Sequence, residues 1–153
     1  MSVLYRHSQR GTAILTGLAM IAPVIVIVVA LLLRQQEVGP IAAIAFVVLA
    51  LLAGTAWYFS SMTIEVTQDE LRWHFGPGGY YRIVLSDIES VAPAHHSLLW
   101  GYGIRWMGPK RWAYIVAGRD AVDLRLRGGG LRRLGSDDRD RLVAALRSAK
   151  NEP

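Results

Sequence analysis

The chain has 153 residues, of which 52% are hydrophobic, and its 17 basic and 12 acidic side chains give a formal net charge of +5. This length corresponds to about one ordinary domain, and the hydrophobic content is high for a soluble one. The absence of cysteine excludes disulfide bonds, thiol catalysis and cysteine-ligated zinc sites.

Two charge-free apolar segments near the N-terminus account for the hydrophobic excess. They are 11–33, GTAILTGLAMIAPVIVIVVALLL, and 38–62, VGPIAAIAFVVLALLAGTAWYFSSM. About 20 helical residues cross the ~30 Å hydrocarbon layer, so each segment is long enough to span a membrane. A signal peptide followed by a core helix is the alternative, but the first segment exceeds the roughly 7–15 apolar residues of a signal sequence and lacks a small-residue cleavage site. The sequence therefore predicts a transmembrane hairpin over 11–62, with helices over about 11–34 and 39–61.

The charges that flank these segments predict the orientation of the hairpin. The N-terminal segment 1–10 carries Arg6 and Arg10 and no acidic residue, whereas Arg34 and Glu37 cancel in the connection. Basic residues beside a span favour the cytoplasmic side. We expect a multi-pass protein of the bacterial cytoplasmic (inner) membrane with two spans and both termini in the cytoplasm.

Short segments in which apolar and polar residues alternate follow the hairpin. Period-two alternation is typical of antiparallel strands with one buried face. Gly, Pro and Asp clusters separate the segments, so a small sandwich or barrel is expected. The segments are 63–67 (TIEVT), 71–75 (LRWHF), 80–85 (YYRIVL), 103–106 (GIRW), 111–117 (RWAYIVA) and 120–127 (DAVDLRLR).

In the last of these strands the alternation places Leu124 in the core and Asp123 in solvent. We expect Leu124→Asp to unfold the domain, because a buried unpaired carboxylate is severely unfavourable, and Asp123→Ala to be nearly silent.

After the strands, the spacing of the apolar residues changes to that of a helix, over 136–149. Ser136 is the expected N-cap, and Leu142, Val143 and Leu146 form its apolar stripe.

This order of elements resembles the bacterial pleckstrin-homology-like (PH-like) membrane proteins. The residues that carry the resemblance are IEVTQDELRWHFG, IVLSDIESV, GYGIR, AYIVAGRDAVDLRL and GSDDRDRLVAAL, which cover most of positions 64–146. The resemblance implies a membrane helical hairpin followed, over 63–150, by an all-β or α+β domain. That domain would be a partly open β-barrel of about seven antiparallel strands, capped by the C-terminal helix. A membrane-associated binding role is implied more than a reaction.

No arrangement of residues predicts catalysis, so no catalytic residue, cofactor or metal ligand is expected. The neighbouring His95 and His96 point in different directions on a strand or a helix, unlike two metal-binding histidines four residues apart. The glycines of GYGIRWMG do not match a dinucleotide fingerprint, because Trp106 stands where the third glycine is needed. The basic excess is modest and unclustered, and nucleic acid is not an expected partner.

The aromatic and basic stretch 95–112, HHSLLWGYGIRWMGPKRW, is the remaining candidate for function. Alternation assigns Ile104, Trp106, Trp112 and Tyr114 mainly to core filling. The residues less well explained by a core form a candidate rim for interaction or lipid headgroups, to which each cation contributes ~1 kcal/mol at an anionic surface. The rim residues are Trp100, Tyr102, Arg105, Lys110 and Arg111.

The sequence therefore predicts a non-catalytic interaction module held at the membrane. Its expected partner is another membrane protein, a second copy of the chain or anionic lipid, and it would act in the assembly of a membrane complex. Two alternatives stay open. One is a domain that binds a lipid or a small molecule, and the other is an accessory or regulatory subunit of a larger membrane enzyme.

Overall fold

The computed structural model describes residues 2–32 and 38–150 of the chain. The predicted connection with Arg34 and Glu37 lies outside the described residues. Within these ranges there are three α-helices, α1 (Thr12–Leu32), α2 (Val38–Tyr58) and α3 (Arg139–Ala149). The rest is largely β-structure, so the molecule combines apolar N-terminal helices, a β-sheet domain and a C-terminal helix.

The two N-terminal helices are apolar and contact each other. Within α1, Ile14–Leu31 is long and apolar enough to cross a membrane by length and composition, and none of it is buried inside the protein. In the described part of the chain this is the one helix that meets those criteria, and α2 contributes a shorter apolar stretch, Ala42–Tyr58. At the domain end of the pair, the Gly11 amide donates a hydrogen bond of 2.7 Å to the Ser60 carbonyl.

The strands form two sheets. In the described part of the chain, the first has four strands in the order β1-β2-β3-β4, and the second has five in the order β5-β8-β9-β7-β6. Their bounds are β1 Val3–Arg10, β2 Ser61–Thr67, β3 Glu70–Phe75, β4 Tyr81–Val84, β5 Ile88–His95, β6 Gly103–Gly108, β7 Arg111–Ile115, β8 Asp120–Leu126 and β9 Leu131–Gly135.

Strand β1 lies before the apolar helices and pairs antiparallel with β2, which follows them. The sequence pattern of this N-terminal segment did not predict a strand. The register places Arg10 opposite Ser61, so the chain leaves the sheet for the helices and returns to it at neighbouring positions. The β domain is therefore built from both sides of the helical pair.

One continuous core fills the space between the sheets. The apolar faces predicted for β2, β3 and β8 are buried, as Ile64, Leu71 and Leu124 illustrate with at most 2% exposure. Aromatic rings complete the core, and Tyr114 contacts Trp73 edge-on at 5.0 Å between ring centroids. Each buried large apolar side chain contributes about 1.5–3 kcal/mol through its removal from water.

Helix α3 closes one side of the two sheets. It contacts β1 and β2 of the first sheet and β5 and β8 of the second. The predicted stripe of Leu142, Val143 and Leu146 is buried. The predicted start was wrong by three residues: the helix begins at Arg139 with Asp138 as N-cap, whereas Ser136 is buried and accepts a hydrogen bond from the Asp138 amide.

The second sheet differs from the expected antiparallel arrangement. Strands β7 and β9 are parallel, so the sheet is mixed. Strands β5 and β9 also occupy segments that were not predicted as strands from the sequence, 88–95 and 131–135. At Gly135, on β9, an added Cβ would lie 2.8 Å from the Ile115 side chain on β7. Glycine therefore permits the close approach of these two strands.

Candidate interaction surfaces

The two sheets share one end that lies against the helices. In the second sheet, Gly103 at the start of β6 is close to Phe59, since an added Cβ would lie 3.7 Å from its ring. Just beyond β7, the Ala117 carbonyl accepts a 3.1 Å hydrogen bond from Nε2 of Gln9, next to the start of α1. The β6–β7 turn at Lys110 is therefore at the end of the sheet away from the helices.

The predicted rim is divided between these two ends. Trp100 and Tyr102 lie just before β6, and Arg105 lies near its start. Lys110 and Arg111 lie at the opposite turn. Arg111 is two residues along β7 from Ala113, the cross-strand partner of Arg105, a shift of about 7 Å at the usual rise of ~3.3 Å per strand residue. The structure thus brings the first three residues together and separates them from the last two.

We define the proximal surface as Leu99, Trp100, Tyr102 and Arg105. The Arg105 Nε donates a 2.9 Å hydrogen bond to the Tyr102 carbonyl, which holds the guanidinium beside the loop. Arg105 and Tyr102 line a groove of about 410 Å³ whose other wall belongs to the helices and includes Ile14 and Phe59. A cation therefore lies where the β domain meets the helical pair.

The loop of the proximal surface exposes apolar side chains. Leu99 is 97% exposed and Trp100 is 56% exposed, on a single 3-10 turn. His96 is buried at the base of this loop, with Nε2 at 2.7 Å from the Gly101 carbonyl. Leaving two large apolar side chains in water is unfavourable, so this loop is suited to an apolar neighbour.

We define the distal surface as Trp106, Lys110, Trp112, Arg127 and Arg132. The assignment of Trp106 and Trp112 to core filling was wrong in part, since they are 62% and 37% exposed. The alternation was correct, because Tyr114, on the same face of β7 as Trp112, is buried. This face of the sheet extends past the end of the core, where Trp106 on β6 and Trp112 on β7 are exposed to solvent.

The cations of the distal surface line a groove of about 480 Å³ together with Trp112 and one acid, Asp87. Nζ of Lys110 donates to the Gly128 carbonyl at 3.3 Å, and Nη1 of Arg132 donates to the Lys110 carbonyl at 2.8 Å. Backbone carbonyls thus orient these side chains without neutralising them.

Arg111 lies in a neighbouring groove of about 410 Å³ on the other side of the glycine turn 128–130. Arg125 also lines this groove, with Glu89 and Asp123 as its acids. Arg125, Arg127 and Arg132 were not among the site residues predicted from the sequence. No motif marks them, because only the pairing of β7, β8 and β9 brings them to the predicted Lys110 and Arg111.

The histidines lie apart from one another. Nε2 of His7 is 2.5 Å from Asp137, and Nδ1 of His95 is 3.4 Å from Asp120. His95 is the last residue of β5, and His96 is a buried residue of the loop that follows it. Within residues 2–32 and 38–150, no group of three or more His, Asp or Glu side chains is arranged to hold a metal ion.

Comparison with known proteins adds no assignment to these surfaces. No family model matches the chain, and neither a curated protein nor a solved structure is significantly similar to it.

Proposed function

We propose that the chain is a two-span membrane protein whose cytoplasmic β domain is a non-catalytic interaction module. The observation that carries this proposal is the pairing of β1 with β2 on either side of the helices. Two segments of one sheet lie on the same side of any membrane, so the chain between them crosses it an even number of times or not at all. The apolar surface of the helices favours crossing.

Several features of the helical pair support two spans. Each helix has 21 residues, which at about 1.5 Å per residue matches the hydrocarbon thickness. Large apolar side chains project outward from both, among them Ile27 at 59% exposure and Phe46 at 74%. A soluble protein would cover such side chains, whereas lipid solvates them.

The orientation in this proposal is cytoplasmic for both termini. Arg6 and Arg10 lie directly before α1, and basic residues flanking a span favour the cytoplasmic side.

We retain the PH-like resemblance within the proposal, because two packed sheets and a C-terminal helix are consistent with it. The parallel pairing of β7 with β9 is a departure from the antiparallel barrel that the resemblance implies.

The proximal surface is the part of the module that we propose to contact the bilayer. It adjoins the helix ends, so insertion of the helices brings Leu99 and Trp100 to the membrane–water interface. Tryptophan is enriched at that level because its ring is apolar and its N–H is polar. Arg105 would then meet headgroup phosphates and contribute about 1 kcal/mol if the lipid is anionic.

Quenching of tryptophan fluorescence by brominated phospholipid tests this arrangement on the full chain in liposomes. Trp100→Phe and Trp106→Phe remove tryptophans of similar exposure, 56% and 62%, from the proximal and distal surfaces. The emission lost in Trp100→Phe is expected to be quenchable by the brominated lipid, and that lost in Trp106→Phe is expected to be insensitive. An unquenched Trp100 component, or equal quenching of both, would count against the proposal.

A further inference from the structure

We infer that the distal surface is a docking site for an acidic segment of a protein partner. The inference rests on the proposed function in one respect: the proximal surface faces the bilayer, and the distal surface therefore faces the cytoplasm. It goes further by naming the surface that binds the partner and the charge that this partner carries.

An aromatic row forms the first half of the site. Trp106 on β6 is the cross-strand partner of Trp112 on β7, and Trp112 is the partner of Arg132 on β9. Directly paired residues project from the same face of a sheet. The three side chains therefore form a row at the uncovered end of the inner face. Trp and Arg are the residues most enriched among those that dominate protein interfaces.

Unpaired positive charge forms the second half of the site. Among the described residues, Lys110, Arg127 and Arg132 form no ion pair with a carboxylate. Their groove contains a single acid, Asp87. By contrast, Arg133, outside the groove, is already neutralised by a two-pronged contact with Asp123 at 2.6 and 2.8 Å. The distal cations are free to pair with carboxylates of another molecule.

The extent of the charge favours a chain over a small anion. Arg111 and Arg125 line the groove on the far side of the 128–130 turn, and both grooves include Leu126 and Gly130. A partner that used all these cations would extend across the turn. A nucleic-acid backbone, charged at every nucleotide, would also set phosphates against Asp87 and Glu89. A peptide can place carboxylates opposite the cations and apolar side chains on the tryptophans.

Fluorescence anisotropy of labelled probes measures this binding, with the full chain in nanodiscs of zwitterionic phosphatidylcholine. The probes are a ten-residue peptide of alternating Glu and Leu, its Lys-Leu counterpart and a single-stranded oligonucleotide of the same length. The acidic peptide is expected to bind more tightly than either of the others. In Lys110→Gln/Arg127→Gln its affinity is expected to fall about tenfold, because two interface charges lose their partners.

The matched control is Arg119→Gln/Arg147→Gln, which removes the same charge from exposed positions elsewhere. It is expected to bind the acidic peptide nearly as the parent does, and Trp112→Phe to bind it more weakly than the parent. Equal affinity for the acidic and basic peptides, equal loss in both double variants, or tighter binding of the oligonucleotide would overturn the inference. None of these outcomes depends on lipid quenching at Trp100, so the inference and the proposed function can fail separately.

Discussion

Neighbouring residues of β8 have opposite environments at the scale of single side chains. Leu124 is fully buried, whereas Asp123 forms a two-pronged ion pair with Arg133 in which both side chains are about one-fifth exposed. The sequence correctly assigned the two faces of the strand. It did not reveal the partner of Asp123, because Arg133 lies on β9, which carried no strand signal. Asp123→Ala is therefore not expected to be silent.

Urea unfolding of Leu124→Asp and Asp123→Ala measures the difference. We expect the free energy of unfolding of Leu124→Asp to fall by about 4 kcal/mol or more, because the variant buries an unpaired carboxylate. Asp123→Ala should lose about 1.5 kcal/mol, the usual contribution of a charged hydrogen-bonded pair. The double variant Asp123→Ala/Arg133→Ala should lose less free energy of unfolding than the sum of the losses in the two single variants. Strict additivity would show that the pair contributes nothing.

The pKa values of three tyrosines predict how the free energy of unfolding depends on pH in the alkaline range. Burial raises the pKa of Tyr5, Tyr81 and Tyr114 above the ordinary value for the phenol. Asp138 raises that of Tyr5 further by accepting its hydroxyl hydrogen bond at 3.1 Å. When folding raises the pKa of a tyrosine, the resulting stabilisation is fully present below the pKa of that tyrosine in the unfolded chain. It is lost as the pH rises from that pKa towards the higher pKa of the folded protein.

The free energy of unfolding should therefore fall above about pH 10, where tyrosines of the unfolded chain ionise. Tyr5→Phe removes one of the three groups and should reduce the slope of this fall. Urea titrations at a series of pH values, compared with the control Tyr80→Phe at a half-exposed side chain, measure the slope. An unchanged slope in Tyr5→Phe would show that the phenol of Tyr5 is not the source.

At the scale of elements, alternation was a reliable guide where one face is buried and the other polar. It identified β2, β3 and β8. The buried residues occupy every second position in β3 and nearly so in β8, whereas residues 62–67 of β2 are all buried. It failed for β1, where the inward-facing positions include His7 and Gln9, and for β9, LRRLG, which is too short to show a period. Tertiary pairing, rather than local pattern, determines these strands.

The adjacency of β1 and β2 predicts that the helical pair can be replaced by a turn. Arg10 and Ser61 are register partners, so a two-residue Asn-Gly turn between them would close an ordinary hairpin. We expect residues 2–10, this turn and residues 61–150 to form a soluble β domain with cooperative thermal unfolding by circular dichroism.

The control is the fragment 61–150 alone, which lacks β1. It should melt at lower temperature or aggregate, because β2 becomes an exposed edge strand and α3 loses its contact with β1. Equal melting temperatures for the two proteins would show that β1 is not an integral strand of the domain.

At the scale of the whole molecule, one end of the β domain lies against the helices, where we propose that it faces the bilayer, and the other end lies away from them. The sequence identified one candidate rim, because its five residues are close along the chain. Trp100 and Tyr102 precede β6 and Lys110 follows it, so the strand separates them, and Arg105 within the strand is hydrogen-bonded to the Tyr102 carbonyl. The orientation of β6 is therefore needed to distinguish the proximal surface, which we propose to face lipid, from the distal surface, which we propose to bind a partner. No local sequence pattern gives that orientation.

Accessibility of single cysteines in spheroplasts tests the central claim, that the helices cross the membrane and return to one cytoplasmic sheet. The natural chain has no cysteine, so Gln35→Cys in the connection and Asp69→Cys in the exposed β2–β3 turn are each unique labels. A membrane-impermeant maleimide is expected to label position 35 in intact spheroplasts and position 69 only after lysis. Labelling of position 69 before lysis, or protection of position 35 until lysis, would contradict the account.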